Sequence, residues 1–101
     1  MIVVNVKAEI DPANLDAMQA GIANMETASR AEDGCQDYTF SVELNNSAML
    51  RITEKWDNMD ALLAHFQAPH MADFKQLMGT YPPKSMDVYF YEAKEFTPPG
   101  M

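Results

Sequence analysis

The residues best suited to chemistry lie together in the stretch Glu54–Phe74, EKWDNMDALLAHFQAPHMADF. It contains the single tryptophan, Trp56, and both histidines, His65 and His70. Histidine is the side chain whose ordinary pKa lies closest to neutrality, so this pair is the natural carrier of protons near neutral pH. The two imidazoles are five positions apart in a setting of aromatic and thioether side chains. That composition points to proton transfer to or from a ligand held among apolar groups.

Each residue has a functional and a structural reading. Trp56 ends a strand on its apolar face. It is either a core aromatic or a wall on which a flat substrate stacks, with the indole N–H free to donate. Glu54 shares that face. A carboxylate turned toward apolar surface either leans out to solvent or acquires a partner or a raised pKa. His65 follows Leu62 by three positions, about 110° from the centre of the apolar stripe at about 100° per residue. That puts it at the margin of the core face, on a pocket rim or in solvent. His70 follows Pro69 at the start of a helical turn. The helix dipole there disfavours imidazolium, so His70 is expected to be neutral and able to accept a proton, or else simply a surface residue.

Other chemistries find less support. Two histidines at i and i+5 across a proline match no helical chelate and no acid completes a triad, so no metal is expected. Cys35 is the only cysteine, which excludes an intramolecular disulfide, and no histidine lies near it in sequence to make it a nucleophile. There is no glycine-rich phosphate loop and no dinucleotide fingerprint.

Alternation and helical spacing define the elements that position these residues. Ile2, Val4, Val6, Ala8 and Ile10 alternate with Val3, Asn5, Lys7 and Glu9, which reads as a strand with one apolar face. Asp11-Pro12 is a helix start, and Leu15, Met18, Ile22, Met25 and Ser29 carry a helix over about 12–31 until Asp33-Gly34. A strand over about 35–43 puts Tyr38, Phe40 and Val42 on one face. After the turn residues Asn45-Asn46-Ser47, a strand over about 48–56 aligns Leu50, Ile52, Glu54 and Trp56. Asp57-Asn58 caps a second helix with Met59, Leu62, Leu63 and Phe66 as its buried stripe. Pro69 interrupts it, and a short helix resumes with Met71, Phe74 and Met78 inward. A last strand over about 85–93 alternates Met86, Val88 and Phe90 against Asp87, Tyr89 and Tyr91. The tail, about 94–101 with Pro98-Pro99, is expected to be irregular.

The order β-α-β-β-α-β predicts an α+β fold: a ferredoxin-like antiparallel sheet with helices on one face, in a single domain over 1–101. The uncovered face carries Val3, Met49, Tyr89 and Tyr91, too apolar for water, so a homodimer through the helix-free face, a dimeric α/β barrel, is expected. A chain of 101 residues also buries only roughly two thirds of its unfolded surface, so self-association would supplement a thin core.

The remaining composition mainly excludes partners. Fifteen acidic residues against seven basic ones give a formal charge of −8, which repels nucleic acid and anionic lipid. No apolar run approaches the roughly 20 residues of a membrane span, and the N-terminus lacks the pattern of a signal peptide, so a cytoplasmic protein is expected. The nine methionines fill irregular cores or adaptable pockets.

The pattern E-x-W-x5-L-x2-H-x4-H-M-x2-F, with Asp33-Gly34-Cys35-x-x-Tyr38 before it, resembles the antibiotic biosynthesis monooxygenase (ABM) superfamily, most closely its small quinol-monooxygenase-like members. The resemblance runs from the first strand to about residue 93. It implies a dimeric α+β barrel with a pocket between sheet and helices, and oxidation of a phenolic or quinol-type aromatic substrate by O2 with no metal or flavin. Carried over by position, it makes His65, His70 and Trp56 the catalytic residues, a base and a stacking wall, with Tyr38, Glu54, Phe66, Met71 and Phe74 around the substrate. The haem-degrading branch fits less well, because its axial histidine falls near Lys75 and its first-strand asparagine near Val6. A third branch isomerises a small phosphorylated signal, for which this acidic chain offers few cations. Since a fold does not fix a function, a non-catalytic small-molecule binding domain is the rival from another class.

Overall fold

The computed structural model describes all 101 residues. Strand β1 (Ile2–Glu9) is followed by a 3-10 turn (Pro12–Asn14), helix α1 (Leu15–Arg30), strands β2 (Cys35–Glu43) and β3 (Asn46–Trp56), helices α2 (Met59–Phe66) and α3 (Pro69–Thr80), and strand β4 (Ser85–Glu92). The sheet is antiparallel throughout, in the order β2-β3-β1-β4. This is the expected ferredoxin-like α+β arrangement. Residues 93–101 add no helix or strand.

The local chemistry explains most boundaries. Asp11 Oδ1 accepts from the Ala13 N–H at 3.0 Å and Pro12 opens the turn. The single helix expected over 12–31 is therefore a 3-10 turn running into an α-helix. Asn58 Oδ1 caps α2 by accepting from the Ala61 N–H at 2.9 Å. Strand β3 begins at Asn46, sooner than the sequence predicts, because Asn46 pairs with Glu43 across an irregularity in the β2–β3 register.

The core lies between sheet and helices. Ile2, Val4 and Val6 of β1 and Ile52 and Trp56 of β3 pack with Met25 of α1, Tyr38 of β2 and Leu62 of α2. Ala8, Ile10 and Leu50 form a smaller cluster at the other end. The alternation of the first strand is thus obeyed to the residue. Strand β4 differs, because all eight of its residues are exposed. It is an edge strand, and the helices pack over β2 and β3.

Helix α2 is rotated from the expected register. Met59, Leu63 and Phe66, expected to be buried, are 47%, 51% and 38% exposed, while Leu62 and His65 are fully buried. The cause lies in the turn before β2. Gly34 has φ +82°, and a Cβ there would sit 2.7 Å from the Ala61 Cβ, so α2 presses its Ala61–Leu62–His65 side against that turn. The Gly34 carbonyl accepts from the Asp57 N–H at 2.8 Å, which fixes the start of α2 to the same turn.

Gly34→Ala is expected to destabilise the protein by about 2 kcal/mol or more, since it adds left-handed strain to a collision with α2. Urea unfolding measures the loss, and a variant as stable as the parent would show that α2 does not depend on this close approach.

Candidate functional site

A cavity of about 230 Å³ opens between sheet and helices. Val4, Val6 and Ile52 floor it, Met71 and Phe74 of α3 and Phe66 of α2 stand over it, and Met86, Val88 and Phe90 line its β4 side. Tyr38 and Glu54 are the only polar residues in its wall. The mouth lies along β4, where Val88 and Phe90 are 42% and 55% exposed. All five residues expected around a substrate, Tyr38, Glu54, Phe66, Met71 and Phe74, line this one space.

The three residues expected to be catalytic lie behind it. Trp56 and His65 have no exposed surface, and neither they nor His70 line the cavity. Trp56 is therefore not a stacking wall. Strand parity assigned the correct face, but the residue is sealed by α2, with its indole 4.6 Å from the His65 ring. His65 is not at the margin of the core face either, since the rotation of α2 turns it fully inward. The indole and the imidazoles form a packed layer behind the cavity.

A chain of polar contacts links that layer to the cavity. The Trp56 indole N–H donates to Glu54 Oε1 at 3.0 Å. His65 Nε2 lies 4.0 Å from the same oxygen and is buried with no hydrogen-bond partner. On the other side of the ring, His65 Nδ1 is 2.6 Å from Glu32 Oε2, and His70 Nε2 is 2.8 Å from that oxygen. An ionised carboxylate only accepts, so with Glu32 charged both imidazole nitrogens facing it carry protons. With its Nε2 engaged by Glu32, His70 stands outside the cavity lining. Glu32 and His70 sit near the surface, with side chains 16% and 13% exposed. No acid near the histidines in sequence completes the group; the fold supplies Glu32 from the turn after α1.

Electrostatics single out Glu54. Burial pushes its carboxyl above the ordinary range, and the negative Glu32 adds to this, while the Trp56 N–H and the nearby His65 ring pull the other way. The Tyr38 phenol is pushed far up by burial and by the charge of Glu54, so it remains a hydroxyl at neutral pH. Burial also raises the half-buried thiol of Cys35, which keeps it a poor nucleophile. The arrangement provides one carboxyl of raised basicity, able to take and return a proton, facing a space whose only other polar group is the Tyr38 hydroxyl.

The sequence pattern that defines the antibiotic biosynthesis monooxygenase family matches residues 1–77. The chain belongs to that family. No curated protein matches it. Among solved structures, a Deinococcus radiodurans protein named as a candidate antibiotic biosynthesis monooxygenase superposes with a TM-score of 0.87 at 23% identity, covering 97% of each chain. Rv0793 of Mycobacterium tuberculosis gives 0.82 at 23% identity over 96% of this chain and 98% of its own. A conserved Methanosarcina mazei protein gives 0.84 at 24% identity over 92% of both. At these identities the likeness establishes the fold. ABM membership supports a monooxygenase-like activity, and no helix is long and apolar enough to cross a membrane.

The raised Glu54 carboxyl has a consequence for stability. The folded protein holds that proton more tightly than the unfolded chain does. Glu54 therefore opposes folding increasingly as pH rises from the ordinary value of about 4.3 through its raised folded value. In Glu54→Gln that opposition is absent, so the stability of the variant relative to the parent should climb across this window and level off above it. Urea unfolding of both proteins over a pH series tests this, and a difference that does not change with pH would contradict it.

Proposed function

We propose that this protein is a cofactor-independent monooxygenase that oxidises a phenolic or quinol-type aromatic substrate with O2 in the cavity beside Glu54. The observation that carries the reading is the lone ionisable carboxyl in a small apolar space, its basicity raised by burial. Family membership supports the reaction type. An electron-rich phenolate reduces O2 by itself, so the protein need only hold the ring, remove its proton and exclude water.

In this scheme Glu54 takes the phenol proton. The phenolate carbon adds O2, and the returned proton gives a ring hydroperoxide. Loss of the remaining ring C–H proton with cleavage of the O–O bond leaves the quinone carbonyl and one molecule of water. One oxygen atom enters the product and the other leaves as water. The Trp56 N–H holds the Glu54 carboxylate in place. His65 acts as a positioning residue behind Glu54, and Glu32 and His70 lead from it toward the surface. Tyr38, Phe66, Met71 and Phe74 hold the aromatic ring. A phosphorylated isomerase substrate is disfavoured because no lysine or arginine lines the cavity.

The same reading includes a homodimer in the cytoplasm. Tyr89 and Tyr91 of the helix-free face are 52% and 50% exposed, and a second copy seated there would cover them. Sedimentation should then give twice the chain mass of 11.3 kDa, and a monomer at micromolar concentration would refute this part.

The activity itself is tested by O2 consumption with a panel of quinols, run beside anaerobic controls. Glu54→Gln should lower kcat by about 10²- to 10⁴-fold, the usual contribution of a general base. Saturable binding of the same quinols with no oxygen uptake would identify a binding domain instead. Turnover in the absence of oxygen would identify an isomerase.

A further inference from the structure

We infer that Glu32, His65 and His70 form a binding site for a divalent first-row transition-metal ion, with the Glu54 carboxylate as the outer partner of the His65 ligand. Their donor atoms all lie within 4.8 Å of one another, although the residues come from a turn, α2 and α3. Two imidazole nitrogens and a carboxylate oxygen form a borderline donor set that suits zinc, cobalt, iron or nickel better than calcium or magnesium. The site offers three protein ligands, His65 fully buried and Glu32 and His70 with partly exposed side chains, the ligand number of a metal site that takes water as its fourth ligand.

The local geometry fits this reading in two further respects. Two ligands of a tetrahedral ion stand about 3.4 Å apart at ordinary metal–ligand lengths. The Glu32 oxygen now lies 2.6 Å and 2.8 Å from the two nitrogens, so less than about 1 Å of spreading admits an ion once the two intervening protons leave. The Glu32 and His70 side chains are partly exposed, so small side-chain rotations make that adjustment while the turn backbone stays fixed. The second respect is the unpartnered nitrogen. Metal bound at His65 Nδ1 requires the ring proton to sit on Nε2, which is buried without a partner 4.0 Å from Glu54 Oε1. A ligating histidine that points its other N–H at a carboxylate is the usual outer arrangement of such sites. A bound ion would thus turn the one unsatisfied ring atom into a donor to Glu54, and would occupy the route by which Glu54 communicates with the surface.

The binding claim stands apart from the oxygenase proposal and is tested without substrate. Isothermal titration of the full chain with ZnCl2, and the visible absorption of the Co2+ form, should show one saturable site per chain. Bands of a four-coordinate nitrogen–oxygen cobalt centre are expected. Glu32→Gln and His70→Ala should each weaken binding by on the order of a hundredfold, and Glu54→Gln by about tenfold, as losses of an outer partner do. Affinity should fall as pH drops, because protons compete with the metal for its ligands. Circular dichroism and urea unfolding confirm that each variant is folded, and the surface substitution His70→Ala keeps the test decisive if Glu32→Gln is not. No saturable binding up to millimolar Zn2+, binding undiminished in His70→Ala, or displacement by equimolar Mg2+ would each overturn the site, the last by pointing to the acidic surface instead.

Discussion

The contact between His65 and Glu32 fixes the rest of the site. An imidazole with no exposed surface needs a partner for its N–H, and the carboxylate 2.6 Å away is the only one offered to Nδ1. Leaving such a group unpaired in a core costs about 1–3 kcal/mol. That contact joins the turn after α1 to α2, and through His70 to α3. It therefore selects which side of α2 faces the sheet, and the chosen side seals Trp56 and aims Nε2 at Glu54. Closing the helical layer and setting the electrostatics of the cavity carboxyl are one event.

The turn that presents Glu32 is itself held from several directions. Gly34 lets the backbone turn through a left-handed conformation while α2 comes close, and its carbonyl receives the Asp57 N–H. Gln36 Nε2 donates to Asp57 Oδ1 at 2.8 Å. From the other side, Arg30 Nε donates to the Tyr38 carbonyl at 2.9 Å, and Glu26 accepts from the Phe40 N–H at 2.9 Å. These contacts clamp the end of α1 to β2, so both Glu32 and the Tyr38 ring are placed by rigid elements. Few of these contacts are buried deeply, and their role is geometric: they fix where a carboxylate stands relative to two imidazoles.

The sheet was legible in the sequence because period-two alternation coincides with one-sided burial. Ile2 through Ile10 and Leu50 through Trp56 show it without exception. The caps at Asp11 and Asn58 were legible because short polar side chains precede apolar spacing. The rotation of α2 was not. Met59, Leu63 and Phe66 make the more apolar stripe, and periodicity has no means of knowing that a histidine will be preferred inside by virtue of an acid 33 residues away. Glu32 carried no local signal, being one of 15 acidic residues in the chain and next to Asp33. Parity placed Trp56 on the correct face but says nothing of depth, which depends on what the opposite layer brings. The cavity residues were legible only through the family resemblance, since their common feature is proximity in space.

The cavity is asymmetric, and the asymmetry limits how a ligand can sit. Its inner wall is the packed core around Val4, Val6 and Ile52, with Glu54 among them, whereas its outer wall is the exposed apolar side of β4. A ligand entering along β4 meets only apolar side chains until it reaches the carboxyl. An apolar group seated there would strip water from Glu54 and leave its second oxygen unpaired, whereas a hydroxyl restores a hydrogen bond; the difference is about 1–3 kcal/mol in favour of the hydroxyl-inward orientation. The raised pKa and the preference for a hydroxyl-bearing ligand held hydroxyl-inward would thus share one cause, a carboxyl placed where water is scarce.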